Sequence, residues 1–295
     1  MSEYQCYEFV ALERPLTAKQ MAELRAVSTR AEITPTRFRN EYHWGDFKGD
    51  AAKLVARYFD AHLYFANWGT RRLMLRLPSK QVATKSLRPY FVGDATRASR
   101  TGQHVIVDLC SDQDGSNYDE NGADEGSLAA LTPLRTELAR GDFRIAYLAW
   151  LLALQAGDVA EDAIEPLVPP GLSNLTAAQQ AMVEFLRLDR DLVTAAVSAS
   201  PALANDSAAA RRWVLALSPR EKDCWLERAF EDPDLALGAE LLRSFREQTQ
   251  IPPRGPRRRA AELLATAEDV RAKRERGLAR PPSRSPAVAT KRKRH

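Results

Sequence analysis

Residues 30–78 read RAEITPTRFRNEYHWGDFKGDAAKLVARYFDAHLYFANWGTRRLMLRLP, and their periodicity decides the fold class. Residues 31–44 are extended in character, but Pro35 cannot donate a ladder hydrogen bond, so one uninterrupted central strand is excluded. A hairpin fits better, with strands at 31–34 and 38–44 around a turn at Pro35. Gly45 and the loop carrying Asp46, Lys48 and Asp50 follow, with Asp50 placed to cap a helix. Over 51–66, Leu54, Val55, Tyr58, Phe59, His62, Phe65 and Ala66 form a wide apolar face, which predicts one helix ended by Gly69. Residues 70–77 alternate Leu73, Leu75 and Leu77 with Arg72, Met74 and Arg76, the period of a half-buried strand.

Working outward, residues 4–13 (YQCYEFVALE) read as a strand that ends at Arg14-Pro15. Thr17, with Gln20 three residues on, opens a helix as a capping box. The order β-α-β-β-α-β predicts a ferredoxin-like α+β domain over residues 1–110, with a further strand at 104–110 (HVIVDLC). Residues 111–127 carry six acids and three glycines and read as an exposed acidic loop. From 128 to 250 the pattern is all-helical, with helices expected at 128–140, 142–156, 176–187, 189–198, 207–216, 219–230 and 234–248. Prolines punctuate them, several at positions suited to a helix start. Residues 251–295 form a basic tail, with a Pro/Arg linker over 251–259, one more charged helix over 260–276, and disorder by composition beyond it.

The net charge of +4 hides a division. Residues 251–295 hold 14 Lys/Arg against 4 Asp/Glu, a net of +10, while the first 250 residues hold 29 basic against 35 acidic groups, a net of −6. The pI near 9.0 therefore belongs to the tail. Three distant cysteines, Cys6, Cys110 and Cys224, argue against a disulfide framework or a metal knuckle. The longest apolar stretch, 148–154, falls far short of a bilayer span. The N-terminus lacks a basic start followed by an apolar run, so a reducing cytoplasm is the expected setting, without a membrane.

Candidate sites divide into two groups. His43, Asp46 and Asp50, with Arg71 and Arg72, are the residues most able to line one pocket, and His62 could join two carboxylates and a histidine around a metal. Asp50 suits an N-cap, Asp46 a turn and His62 an apolar face, so the structural reading is preferred and no metal or cofactor is expected. Tyr42, Trp44, Tyr58, Tyr64 and Trp68, near Arg37, Arg39 and Arg76, could stack bases, yet aromatics at this spacing are more often core. No phosphate loop, nucleophile elbow or EF-hand spacing is present. The second group is the tail. Arg257, Arg258, Arg259, Lys273, Arg274, Arg276, Lys291, Arg292, Lys293 and Arg294 give it non-specific, salt-sensitive affinity for a polyanion such as nucleic acid.

The runs RAEITPT, NEYHWGDFKGD, YFDA, YFANWGTR and LMLRLP, continued by RGDFRIAYLAWLLALQAG at 140–157, resemble the signature of an uncharacterised bacterial protein family. The resemblance covers residues 1–250. It implies a bacterial cytoplasmic protein and no mechanism. Together these readings lead to a non-enzymatic interaction or scaffold protein with an unknown protein partner and a polyanion-binding tail. The alternative is an enzyme, or enzyme subunit, with a site around His43–Asp50.

Overall fold

The computed structural model describes residues 3–82, 84–113, 127–201, 206–231, 237–249 and 257–278. The first part of the chain runs β1 (Gln5–Val10), α1 (Ala18–Val27), β2 (Glu32–Ile33), β3 (Arg37–Tyr42), α2 (Ala51–Arg57), β4 (Ala61–Ala66) and β5 (Thr70–Pro78). It continues through α3 (Thr84–Leu87), β6 (Thr96–Thr101) and β7 (His104–Asp112). All seven strands join one antiparallel sheet in the order β2-β3-β1-β4-β5-β7-β6. The chain is thus α+β, as expected, but a four-stranded ferredoxin-like sheet is not what forms. β1 pairs with β3 and with β4, a strand where a helix was expected, and beyond β4 the sheet runs on for three more strands.

The correction has a physical cause. The helix expected over 51–66 stops at Arg57, and 61–66 is a strand buried on both faces. Ala61, Leu63 and Phe65 face one layer, while His62 faces the other, so the apolar run satisfies a helical period as well as a strand. Asp60 makes the break. Its backbone N–H donates to the Val10 carbonyl, and its carboxylate accepts from the N–H groups of Leu12 and Glu13 and from the Arg76 guanidinium. Strand β6, TRASRT, escaped prediction because it is an edge strand with exposed arginines in place of apolar residues. The capping box of Thr17 and Gln20 and the Asp50 cap form as expected.

The helical part comprises α4 (Leu128–Leu131), α5 (Pro133–Ala139), α6 (Arg144–Gln155), α7 (Ala177–Phe185), α8 (Arg190–Val197), α9 (Asp206–Ala216), α10 (Pro219–Glu231), α11 (Leu237–Thr249) and α12 (Ala260–Leu278). The helix expected over 128–140 is two, since Pro133 at the first turn of α5 begins a new one. The sheet separates two clusters of buried side chains. Phe9, Phe38, Met74 and Ile106 pack with Leu24, Leu54, Val55 and Phe59 of the α1–α2 layer. On the opposite face, Leu63, Leu73, Leu75, Val105, Val107 and Leu109 share one continuous cluster with α4–α8 and with Ala260, Leu263 and Ala267 of α12. Buried contact therefore runs across the expected boundaries at 110–127 and 250. No described helix is long and apolar enough to cross a membrane.

Arg135 of α5 reaches across to the Arg76 carbonyl and the Glu13 carboxylate, tying the helical layer to the end of the sheet that Asp60 organises. Burial alone would raise the Asp60 carboxyl, but the Glu13 N–H, the Arg76 guanidinium and the Leu12 N–H outweigh it and hold it below its ordinary value. Asp60→Ala leaves Arg76 beside an emptied position and is expected to cost about 3–5 kcal/mol of stability. Because the folded pKa lies below the unfolded one, the unfolded chain takes up the extra proton on acidification. The stability that Asp60 contributes is complete above the unfolded value and is lost as pH falls through the folded one. Denaturant unfolding from pH 7 down to about 3 should show the gap between wild type and Asp60→Asn closing. A gap that stays constant contradicts this account.

Candidate functional site

Strand register places each candidate on a definite side of the sheet. Tyr7 lies opposite Asn40 on β3 and Tyr64 on β4, and Tyr64 lies opposite Arg72 on β5, which faces Cys110 on β7. These side chains occupy the part of the α1–α2 face that extends past those helices. At its centre is Gln5, buried, whose amide oxygen accepts from the hydroxyls of Tyr7 at 3.0 Å and Tyr64 at 3.1 Å. Its amide nitrogen donates to the Gly45 carbonyl at 3.2 Å and to an Asp46 carboxylate oxygen at 3.1 Å. The loop expected to carry a site is thus pinned to the sheet by one glutamine. Burial raises both phenols above the ordinary tyrosine value, so neither ionises near neutrality.

Arg72 closes the group. Its Nε and Nη2 donate to the two Asp108 carboxylate oxygens at 2.7 and 2.6 Å, and this paired geometry raises the guanidinium further. Cys110, beside it, is pushed up by burial and stays a thiol. Asp50 caps α2 through the Lys53 N–H at 3.1 Å and also pairs with the Lys53 ammonium. The Lys53 N–H holds its carboxyl below the usual range.

The expected pocket divides between the two faces. Asp46 joins Gln5 on one side and Arg72 lies on the same face. Arg71, one residue along the strand, is buried on the other. It donates to the Phe185 carbonyl at 3.0 Å, with its guanidinium over the rings of Phe65 and Phe185, and so fastens α7 to β5. His43 is exposed and lies against Tyr4, 5.3 Å between ring centres. His62 lies under the α1–α2 layer, stacked on Phe9 at 4.0 Å. Among the described residues, no group of three or more His, Cys, Asp or Glu is placed to hold a metal ion.

The base-stacking set also scatters. Tyr58 is in the core, and Tyr42 packs edge-on against Tyr7. Arg37 and Arg39 pair with Glu8 and Glu41, and Arg76 with Asp60. Trp44, expected in the core, is 73% exposed with Arg30 over its ring, so its removal should be close to neutral for stability.

The basic segment is partly built into the body. Arg258 donates twice to Glu165, at 2.9 and 2.8 Å, and Glu165 also accepts from the buried Tyr147 hydroxyl. Arg274 pairs with Asp191 and Arg271 with Asp189. Arg257, Arg259, Lys273 and Arg276 are exposed, while Lys291, Arg292, Lys293 and Arg294 lie outside the described residues.

A different surface was not singled out from sequence. Among the described residues, α9, α10 and α11 add nothing to the two buried apolar clusters, and α10 buries no residue. Leu215 is 67%, Leu226 55% and Phe230 88% exposed. The signal was present in PREKDCWLERAFE, which sets Trp225, Leu226, Ala229 and Phe230 on one face of a helix that is densely charged elsewhere. No protein-family model, no curated protein and no solved structure matches this chain.

His62 provides a titration test of this packing. Its Nδ1 lies 2.9 Å from the Glu8 carbonyl and donates to it when the ring is neutral, while Nε2 has no hydrogen-bond partner among the described residues. Burial pushes its pKa down to about 3. Between the ordinary value of 6.5 and about 3 the unfolded chain binds one proton more, so stability falls with pH across that window. From pH 7 to 5 this group should remove about 2 kcal/mol, and His62→Phe should abolish that part of the slope in urea unfolding. An unchanged slope in the variant would place the imidazole in a wetter setting.

Proposed function

We propose that this chain is a non-enzymatic interaction protein that takes a protein partner on the outward faces of α9 and α10. The observation that carries the reading is the exposure of Phe230 and Leu226 on α10 and of Leu215 on α9. Covering a Leu or Phe side chain is worth about 1.5–3 kcal/mol, so a soluble chain that leaves three such side chains in water on neighbouring helices gains most by having them covered. Aromatic anchors of this kind dominate binding energy in protein interfaces.

The enzymatic alternative is not favoured by the geometry, because His43 and Arg71 lie away from Asp46 and Arg72, and the polar groups around Gln5 satisfy one another. In the same proposal the segment beyond 278, which carries Lys291, Arg292, Lys293 and Arg294, is the polyanion-binding part, since Arg258, Arg271 and Arg274 are held by carboxylates of the body. A bacterial cytoplasmic setting, implied by the sequence resemblance, belongs to the proposal as well.

The test compares wild type with Leu226→Ser/Phe230→Ser, using Trp44→Ala as a surface control, in quantitative co-purification from the native cell. A stoichiometric partner should fall by roughly tenfold or more with the double variant and persist with the control. Far-UV circular dichroism and the unfolding midpoint should stay unchanged. Equal recovery of the same proteins by all three overturns the reading.

A further inference from the structure

Aromatic rings and a carboxylate meet on the sheet where it extends past α1 and α2. Tyr7 of β1 is at the centre. Its ring lies 4.6 Å from that of Tyr64, 4.9 Å from Phe47 and 5.9 Å, edge-on, from Tyr42. These rings are all half-buried, so each keeps part of its surface in water, and Asp46, on the loop that carries Phe47, is exposed. Gln5 fixes the acid relative to the rings. Its Nε2 must face the loop, because the Gly45 carbonyl at 3.2 Å can only accept. The same nitrogen donates to Asp46 Oδ1, while the amide oxygen takes the Tyr7 and Tyr64 hydroxyls. One buried amide thus orders the carboxylate and both phenols before anything binds. Burial raises the two phenols and the Asp46 charge raises them further, so both stay protonated. The nearby cations are matched elsewhere: Arg72 is held by Asp108, and Lys53 pairs with Asp50. Among the described residues, no Lys or Arg pairs with Asp46.

We propose that this aromatic group and Asp46 form a binding site for an organic cation, an alkylated ammonium or a guanidinium, which lays its methyl or methylene groups on the rings and its charge beside the carboxylate. The chemistry of the site selects that class. Aromatic faces and a carboxylate both attract positive charge, so an anion is rejected. A neutral apolar ligand would gain from the rings but strip water from Asp46 without pairing it. A metal ion needs several hard ligands, and no group of three or more His, Cys, Asp or Glu is placed to hold one among the described residues. A weakly hydrated organic cation satisfies the rings and the acid together. A free small molecule and a lysine or arginine side chain of a polypeptide share this chemistry, and the test separates them. The site uses no residue of α9 or α10 and stands whether or not those helices hold a partner.

Full-length protein is titrated with tetramethylammonium chloride and with methylguanidinium chloride, against sodium chloride at matched ionic strength, and read by NMR at the Gln5 side-chain amide and the Tyr64 ring. Saturable shifts in the millimolar range are expected, the affinity of one small head group. Asp46→Asn keeps an oxygen for Gln5 and should weaken binding roughly fivefold or more. Tyr64→Leu should weaken it by a similar factor. Asp112→Asn, which removes an exposed acid of β7, should leave it unchanged. Short blocked peptides with one central lysine or arginine form the second arm. Tighter binding than the free head groups assigns the cation to a polypeptide, and equal or weaker binding assigns it to a small molecule. Shifts that never saturate, or an Asp46→Asn variant that binds as wild type does while keeping the wild-type spectrum, overturn the proposal. If that variant does not fold, the wild-type titration decides: shifts confined to Gln5, Tyr7, Phe47 and Tyr64 support the site, and shifts spread evenly over the surface refute it.

Discussion

Helix α6 constrains everything around it, because RIAYLAWLLALQ is buried at every position from Arg144 to Leu154. A helix that is apolar all round cannot rest on a surface; it must be enclosed. The enclosure is the sheet on one side, with α5, α7 and α8 on the others. The buried Arg144 and Tyr147 in α6 show how complete it is. Arg144 is satisfied by Asp142 and by the carbonyls of Gly171 and Asn174, and Tyr147 by Glu165. A long arginine can be buried there only because each side of its planar group meets an acceptor.

The same requirement explains why hydrogen-bonded charged side chains sit at the seams. Asp60 joins the β1–α1 turn to β5, Arg71 joins β5 to α7, and Arg258 joins α12 to the 161–165 segment. Asp158 accepts from the N–H groups of Asp94 and Ala95, tying the turn before β6 to the end of α6. Gly93 permits that approach: with φ at +71°, a Cβ there would lie 2.2 Å from Asp158. These pairs join elements far apart in sequence, so they specify which layer meets which, while the apolar cluster supplies most of the driving force.

Much of this was legible in the sequence. The hairpin around Pro35, the caps at Thr17 and Asp50, and nearly every helix from 142 onward follow from proline, capping and periodicity. The helix over 51–66 did not survive, because a strand buried on both faces carries no alternation to betray it. Strand β6 was invisible because an edge strand needs few apolar residues. Arg71 and Arg72 are indistinguishable as letters, yet a strand sends neighbours to opposite faces, and only the register of β4, β5 and β7 tells which is buried. The basic tail illustrates the limit of charge counting. Arg258, Arg271 and Arg274 read as free cations until the fold brings Glu165, Asp189 and Asp191 to them.

Among the described residues these contacts join the sheet, α4–α8 and α12 through one buried cluster, while α9–α11 contribute none of its residues. Native-state hydrogen exchange addresses that directly. Slow amides of β5, β7, α6 and α12 should open with one common free energy that responds equally to denaturant, while those of α9–α11 exchange at a distinctly lower one. If β5 and β7 open at one free energy and α6 at another, the sheet and the helical layer are separate units and the shared core does not hold them together.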